Sequence, residues 1–153
     1  EGNGNRMALA TISKIGRTGM AAIGVGILRA CLADGVKFAK ERIIYGKPLA
    51  RLQAIQMEIA QIRIDHDAAR LLTYHAVGLK ESGAGGDAEV AIAKYYATEG
   101  AVRAAKRTMD LMGGYGVITE YPVGRYMRDA LACIASGGTS HIMQIIIAGQ
   151  ALA

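Results

Sequence analysis

Two glycine-rich segments of this 153-residue sequence could bring backbone atoms close to a ligand. Residues 136–140, SGGTS, precede an apolar segment with a helical pattern. The free N–H groups and the positive dipole end of a helix N-terminus can hold a phosphate or a ring acceptor. Residues 113–116, GGYG, follow a predicted helix instead of a strand, so they are not a dinucleotide-binding fingerprint. The alternative for both segments is a purely structural role as caps and turns.

Side chains suited to acid–base or metal chemistry are sparse. His66 interrupts the apolar stripe of a predicted helix between Asp65 and Asp67, which favours a hydrogen-bonded core or interface residue over a ligand. No Glu has a His three residues further on, as a di-iron bundle would need. Cys31 and Cys133 lack a Cys-x-x-Cys partner and are expected to be buried free thiols. The sequence predicts no metal site, and spacing alone singles out no catalytic triad or dyad.

The charge pattern narrows the class of partner. The formal net charge is +5 at pH 7, but the Lys and Arg residues are spread along the chain without a run. The clustered basic footprint of a nucleic-acid-binding protein is therefore missing, and a phosphate-rich small ligand such as FAD or coenzyme A fits better. The mean hydropathy of +0.21 is high, yet no run approaches the ~18 uncharged apolar residues of a membrane span. No membrane span is expected.

Apolar residues recur at helical spacing along the chain, and no segment shows the alternation of a half-buried strand. A Gly-Pro turn at residues 45–48 separates the first two helices. The predicted helices span about residues 6–43, 49–80, 87–112, 123–132 and 139–153. The sequence predicts one all-α domain, an antiparallel up-down four-helix bundle.

The first predicted helix contains an unusual number of glycines, including Gly16, Gly19, Gly24 and Gly26. Each glycine in a helix interior costs roughly 0.5–1 kcal/mol relative to alanine. Close approach of another helix or of a ligand is the expected reason for them.

Taken in order, these segments resemble the C-terminal domain of the acyl-CoA dehydrogenase family. Residues 41–49, ERIIYGKPL, are similar to the family pattern E-R-x-x-F-G-x-x-L, and Gln53 follows as in the family. Further matching segments are Glu1 to Gly4, which resembles the exit from a β-domain, and then 16–17, 21–24, 93–94, 113–116, 121–123, 128–130 and 138–140. The resemblance covers residues 1–153. It implies a fragment of a longer chain whose N-terminal helical and middle β-domains are absent.

Family members are flavoproteins, usually tetramers, in which FAD lies across the subunit boundary. The resemblance implies that Arg42, Tyr45 and Gln53 reach the neighbouring subunit's FAD, with Arg42 toward its pyrophosphate. Arg suits that role because its planar guanidinium pairs with phosphate through two hydrogen bonds. Thr139 and His141 are implied to lie against the subunit's own FAD.

The turn that ends the third predicted helix is implied to face the neighbour's cofactor as well. Glycine permits close backbone approach there, whereas a carboxylate close to a phosphate would repel it. The implied contacts in this turn are Asp110, Gly113, Gly114 and Gly116. The departures from the commonest family pattern are Tyr45 for Phe, Asp110 for Gln, and His141 for Gln or Glu.

The catalytic base of the family has no counterpart in this sequence. Family members remove the α-proton of an acyl-CoA with a Glu while hydride passes from the β-carbon to the flavin. That Glu position is Gly137 here, and in another branch of the family the base position corresponds to Gly16. The catalytic residue is therefore unknown. The base lies in the absent domains, or the parent runs a different reaction, or it does not dehydrogenate.

The expected function is that of the FAD-facing and oligomerisation domain of an acyl-CoA dehydrogenase, an oxidoreductase acting on CH–CH bonds. The isolated domain is expected to be inactive. Its implied partners are an acyl-CoA, the other domains of the parent and further copies in a dimer of dimers. The implied location is the cytoplasm, or the mitochondrial matrix in a eukaryote. A catalytically silent subunit that completes a partner's FAD site and a plain helical interaction module are the alternatives.

Overall fold

The structure, a computed structural model, describes residues 2–153, without the side chains of residues 13 and 14. Glu1, part of the segment that resembles a β-domain exit, lies outside the described residues. The predicted all-α class is confirmed, because helices account for most of the described chain. The helices are α1 (Gly4–Thr11), α2 (Arg17–Glu41), α3 (Gln53–Glu81), α4 (Asp87–Met112), α5 (Val123–Ala135) and α6 (Ser140–Ala151).

A π-helical turn, Ile12–Gly16, joins α1 to α2 without a break in helical backbone. The predicted first helix is therefore one continuous rod, as expected. Its predicted end at Ile43 is wrong by two residues, because Arg42 already has an extended ψ of 119°.

A β-hairpin with strands of two residues each replaces the expected helix end. Strand β1 (Ile43–Ile44) pairs antiparallel with β2 (Lys47–Pro48). Tyr45 and Gly46 connect them with φ values of 54° and 74°, the two left-handed residues of a type I′ turn. The sequence showed the turn but not the strands, because two residues are too few for an alternating pattern.

The second helix also starts later than predicted. Leu49–Arg51 form a single 3-10 turn, and Leu52 is extended with ψ 127°, so α3 begins at Gln53. The buried Leu49 side chain fixes this turn in a core cluster that also contains Phe38, Leu111 and Val123. This cluster joins the end of α2, the 3-10 turn, the end of α4 and the start of α5.

Helix α4 lies at the centre of the domain and packs against α2, α3, α5 and α6. Half of its buried positions are alanines, and such small side chains let helix axes approach closely. The fully buried ones are Ala91, Ala97, Ala101, Ala104 and Ala105.

Gly24 on α2 lies where α2 packs tightly against α4. A Cβ atom at Gly24 would lie 2.8 Å from the carbonyl carbon and oxygen of Ala97. Among the described atoms, a Cβ at Gly19 or Gly26 would meet none within 4 Å, and a Cβ at Gly16 would meet only Ile12 Cγ2 at 3.9 Å. The expected packing reason therefore applies to Gly24 alone among the four glycines.

Both cysteines are buried free thiols, as expected. Burial raises the pKa of the Cys31 thiol from 9.0 to about 12, and it raises the pKa of Cys133 as well. His66 is partly buried, with its Nδ1 2.8 Å from Asp67 Oδ1.

In the part of the chain that the structure describes, one helix, α2, is long and apolar enough to span a membrane by length and composition. An 18-residue window of α2 has a mean hydropathy of 1.5, and α5 and α6, bent by 48°, pass the same test together. A third of the α2 window is buried inside the domain, and the core helix of a soluble protein has the same composition. The absence of a membrane span therefore stays a prediction.

Gly24→Ala and Gly26→Ala should have opposite effects on stability. The methyl group at Gly24 would overlap the α4 backbone, which cannot move without displacing the core, and we expect a loss of about 1–3 kcal/mol. The methyl group at Gly26 meets open space in a helical backbone, so we expect a gain of about 0.5–1 kcal/mol. Denaturant unfolding of both variants measures the difference. Equal effects would contradict the close approach.

Candidate cofactor-facing site

Arg42 lies beside the turn formed by Gly113–Gly116. Its guanidinium carbon is 5.3 Å from the ring centroid of Tyr115, a cation–π distance. Tyr115 packs against Phe38 at 5.7 Å and Tyr121 at 5.6 Å between ring centroids. The backbone N–H of Arg42 donates to the Phe38 carbonyl at 2.9 Å, but no acceptor within residues 2–153 takes a guanidinium N–H of Arg42. The aromatic cluster thus holds the guanidinium at the domain surface with its donors available.

The glycines of this turn have different structural reasons. Gly113 has a φ of 58°, which favours glycine. A Cβ at Gly116 would lie 2.7 Å from the carbonyl oxygen of Met109, so that glycine is required by packing. At Gly114 a Cβ would meet no atom within 4 Å. The structural alternative therefore explains Gly113 and Gly116 but gives no reason for Gly114 within the described residues.

Asp110, in the last turn of α4, is paired with a cation. Lys106 Nζ donates to its two carboxylate oxygens at 2.7 and 2.6 Å. Both residues line an open groove of about 430 Å³ between α3 and α4, where Arg107 Nη1 also contacts Glu58 Oε2 at 2.5 Å. With Arg103, the groove has three cations and two carboxylates. Lys106 therefore offsets the carboxylate charge with which Asp110 would repel a phosphate.

Tyr45 and Gln53 lie on the connection between α2 and α3. Tyr45, at the tip of the hairpin, is 89% exposed, and Gln53 is the exposed first residue of α3. Among the described residues, no hydrogen bond or ring contact joins either of them to Arg42 or Tyr115. They belong to the same region of the chain as Arg42.

The second glycine segment lies next to the start of α2. Gly137 and Gly138 have φ values of 70° and 111°, and Thr139 caps α6, its Oγ1 accepting from Ile142 N at 3.5 Å. Arg17 Nε donates to the Gly137 carbonyl at 3.2 Å. His141 is exposed on the first turn of α6.

The predicted contacts thus form two groups at opposite ends of α2. Arg17 contacts the Gly137 segment, whereas Arg42 contacts Tyr115 in the other group. At 1.5 Å per residue, the helix separates Arg17 from Arg42 by roughly 36 Å. The predicted contact residues therefore lie at two ends of one chain instead of in one continuous site.

The two positions that lack a catalytic base are neighbours in space. A Cβ at Gly137 would lie 3.7 Å from the carbonyl carbon of Gly16, an ordinary contact distance. Gly16 itself has helical φ and ψ of −63° and −46°. A carboxylate introduced at either position would start from the same region, although 120 residues separate them in sequence.

Lys94 belongs to the matching segment 93–94, but the sequence did not predict its place in this region. Its side chain is fully buried, and Nζ donates to the carbonyls of Ile134 at 2.6 Å and Gly138 at 2.7 Å. Burial lowers the pKa of Lys94, while the nearby Glu99 opposes that change. The available signal was a lysine on the alanine-rich buried face of α4.

No three His, Cys, Asp or Glu side chains converge on one point within residues 2–153. The expectation of no metal site stays a prediction.

Comparison with known proteins places these features in a family. The model of the acyl-CoA dehydrogenase C-terminal domain matches residues 2–152. A short-chain specific acyl-CoA dehydrogenase from Megasphaera elsdenii is 40% identical over 99% of this chain and 39% of its own length. A 3-(aryl)acrylate reductase from Clostridium sporogenes is 37% identical over 95% of this chain and 38% of its own.

A solved structure gives the same result. Butyryl-CoA dehydrogenase from Megasphaera elsdenii superposes with a TM-score of 0.96 at 37% identity, over 100% of this chain and 40% of that one. The chain spans about two-fifths of the length of the curated relatives it matches.

Gly116→Ala and Gly114→Ala should distinguish a glycine that the fold requires from a glycine that leaves space for a ligand. At Gly116 the methyl group would overlap the Met109 backbone, so we expect a loss of about 1–3 kcal/mol and a displaced turn. At Gly114 the free energy of unfolding should change by less than about 0.5 kcal/mol, as for other surface substitutions. Thermal unfolding without ligand tests both. A large loss at Gly114 would mean that the turn packs more tightly than described.

Proposed function

Because the chain belongs to the acyl-CoA dehydrogenase family as a C-terminal domain, we propose that it is the FAD-facing and oligomerisation domain of a longer flavoprotein. The parent protein oxidises an acyl-CoA thioester at its α,β-carbons. The observation that carries the proposal is the cluster of Arg42, with available donors, against the Gly113–Gly116 turn, where Gly114 faces open space. A ligand that approaches backbone at Gly114 and presents a phosphate to Arg42 fits both features.

The residues of one chain would contact two FAD molecules, its own and that of the neighbouring subunit. Arg42 would pair with the pyrophosphate of the neighbouring subunit's FAD, and Tyr45 and Gln53 would contact the same cofactor. Thr139 and His141 would lie against the subunit's own FAD. When bound, FAD accepts the hydride that leaves the β-carbon of the substrate.

The separation of the two groups supports an oligomer. Roughly 36 Å along α2 lies between the Arg42 group and the Gly137 group, so a cofactor held by one group is remote from the other. We propose a homo-oligomer, a dimer of dimers, that also involves the absent domains of the parent. Within each copy, α2, α3, α4 and α5 would form the predicted up-down bundle. The location follows the resemblance, cytoplasm or mitochondrial matrix.

A second candidate is a silent or differently acting family member. Gly16 and Gly137 both lack a carboxylate at the place where the base of the family would start. Three explanations fit the missing carboxylate. An absent domain supplies the base, or the parent runs a reaction such as the one named for the reductase relative, or the subunit only completes a partner's site. The plain interaction module has no support once the family is known.

The full-length parent should carry FAD, with a visible flavin absorbance band that an acyl-CoA bleaches. Gly114→Ala should raise the Kd of apoprotein for FAD roughly 10-fold or more, because one added methyl in a fitted pocket has an effect of that size. Its melting temperature without FAD should stay unchanged. Gly26→Ala, exposed on α2, is the matched control and should leave FAD affinity unchanged. A parent without bound flavin, even after reconstitution, would reject the proposal.

Introducing a base decides between an active parent and a silent one. Gly16→Glu keeps a helical backbone, whereas Gly137→Glu holds Glu at φ 70° and should cost of order 1–3 kcal/mol. In a parent that lacks a base, either variant should raise flavin bleaching by acyl-CoA, typically 10²–10⁴-fold for a positioned base. Gly16→Gln has the same size without a base and serves as the control.

Three outcomes of that experiment differ in meaning. Bleaching by the unmodified parent at a rate that the Glu variants do not raise would show that another domain supplies the carboxylate. No bleaching by either variant, with FAD and acyl-CoA bound, would favour the silent subunit. An equal gain in Gly16→Gln would contradict a role for the added carboxylate.

A further inference from the structure

The segment 136–140 is held from the inside by polar contacts from two helices. Arg17 on α2 donates to the Gly137 carbonyl at 3.2 Å, and Lys94 on α4 donates to the Gly138 carbonyl at 2.7 Å. The Ser140 hydroxyl donates to Glu99 Oε1 on α4 at 2.5 Å. Two consecutive peptide carbonyls therefore point toward buried or half-buried cations of different helices.

Lys94 is the most constrained of these contacts. It is fully buried, and its second acceptor is the Ile134 carbonyl near the end of α5, at 2.6 Å. A buried ammonium is tolerated only when its donors are satisfied, so Lys94 ties the end of α5 to the glycine segment. Glu99, five residues further along α4, then fixes the first residue of α6 through Ser140.

This clamp sets the direction of backbone N–H groups. In a planar trans peptide the C=O and the following N–H point in opposite directions. With the Gly137 and Gly138 carbonyls held inward, the N–H groups of Gly138 and Thr139 point away from Arg17 and Lys94. Neither N–H has an acceptor within residues 2–153.

We propose that Lys94 is a positioning residue that, together with Glu99, fixes the Gly138 and Thr139 N–H groups in the cofactor-facing segment. The proposal rests on the proposed function, since it assigns these donors to the acyl-CoA and flavin side of the parent enzyme. Lys94 acts through the backbone and does not itself touch the ligand. Two φ values in the left-handed region leave the segment free to rearrange when the clamp is removed.

Lys94→Met in the full-length parent tests the clamp, because Met keeps the apolar stem and removes all three donors. We expect an altered flavin absorbance and circular dichroism band and a fall of about 10²-fold in the rate of flavin reduction at saturating acyl-CoA, the effect of a small misplacement. Thr108→Val is the matched control. Thr108 is equally buried on α4 but bonds to Ala104 and Cys31, so it should lower only the melting temperature.

Ser140→Ala is the second variant, and it tests the clamp where Lys94→Met does not fold. It removes only the contact with Glu99 and should shift the flavin band and rate in the same direction by a smaller factor. The clamp is overturned if folded Lys94→Met keeps the flavin absorbance band and the flavin reduction rate of the unmodified parent. Where Lys94→Met does not fold, the same result for Ser140→Ala overturns it. A change no larger than that of Thr108→Val overturns it as well.

If the proposed function is wrong, the experiment gives a result that differs from failure of the clamp. In that case the unmodified parent binds no FAD, and hydrogen–deuterium exchange at residues 136–140 decides the clamp. Faster exchange in Lys94→Met than in Thr108→Val supports a positioned segment. Equal exchange in the two variants overturns it.

Discussion

The close approach of α2 and α4 at Gly24 and Ala97 is the contact on which the rest of the domain depends. The backbone of Ala97 occupies the space of a Gly24 side chain. Further along the same pair of helices, Thr108 Oγ1 reaches the Cys31 carbonyl at 3.4 Å. Because the two helices stay in contact over this length, whatever α4 presents at its two ends is placed against the two ends of α2.

That pairing explains why the candidate contacts fall into two groups. At one end, the turn after α4 brings Tyr115 to Arg42, supported by Phe38. Toward the other end, Lys94 in the first half of α4 and Glu99 at its middle hold the segment that also contacts Arg17 of α2. A rigid helix pair cannot bring the two ends together, so joint use of both ends on one cofactor requires a second copy.

The sequence predicted the helical class and most helix boundaries because apolar spacing and Gly-Pro breaks depend on local structure. It did not predict the hairpin at Ile43–Ile44, since two paired residues leave no pattern, nor the late start of α3 after an extended Leu52. It identified Gly113 and Gly116 as turn residues but could not separate them from Gly114. That distinction depends on Met109, which only the folded turn brings near Gly116. The place of Lys94 was not predicted for the same reason, because its acceptors lie 40 and 44 residues away.

The contact between Gly16 and Gly137 has a consequence for how such domains diversify. A helix and a loop far apart in sequence meet at neighbouring backbone positions, so an acidic group could pass from one to the other while its point of attachment stays in one region. A chain with glycine at both places is one substitution away from either arrangement. The sequence position that supplies the acidic group could therefore change along a lineage while the region from which the group extends stays the same.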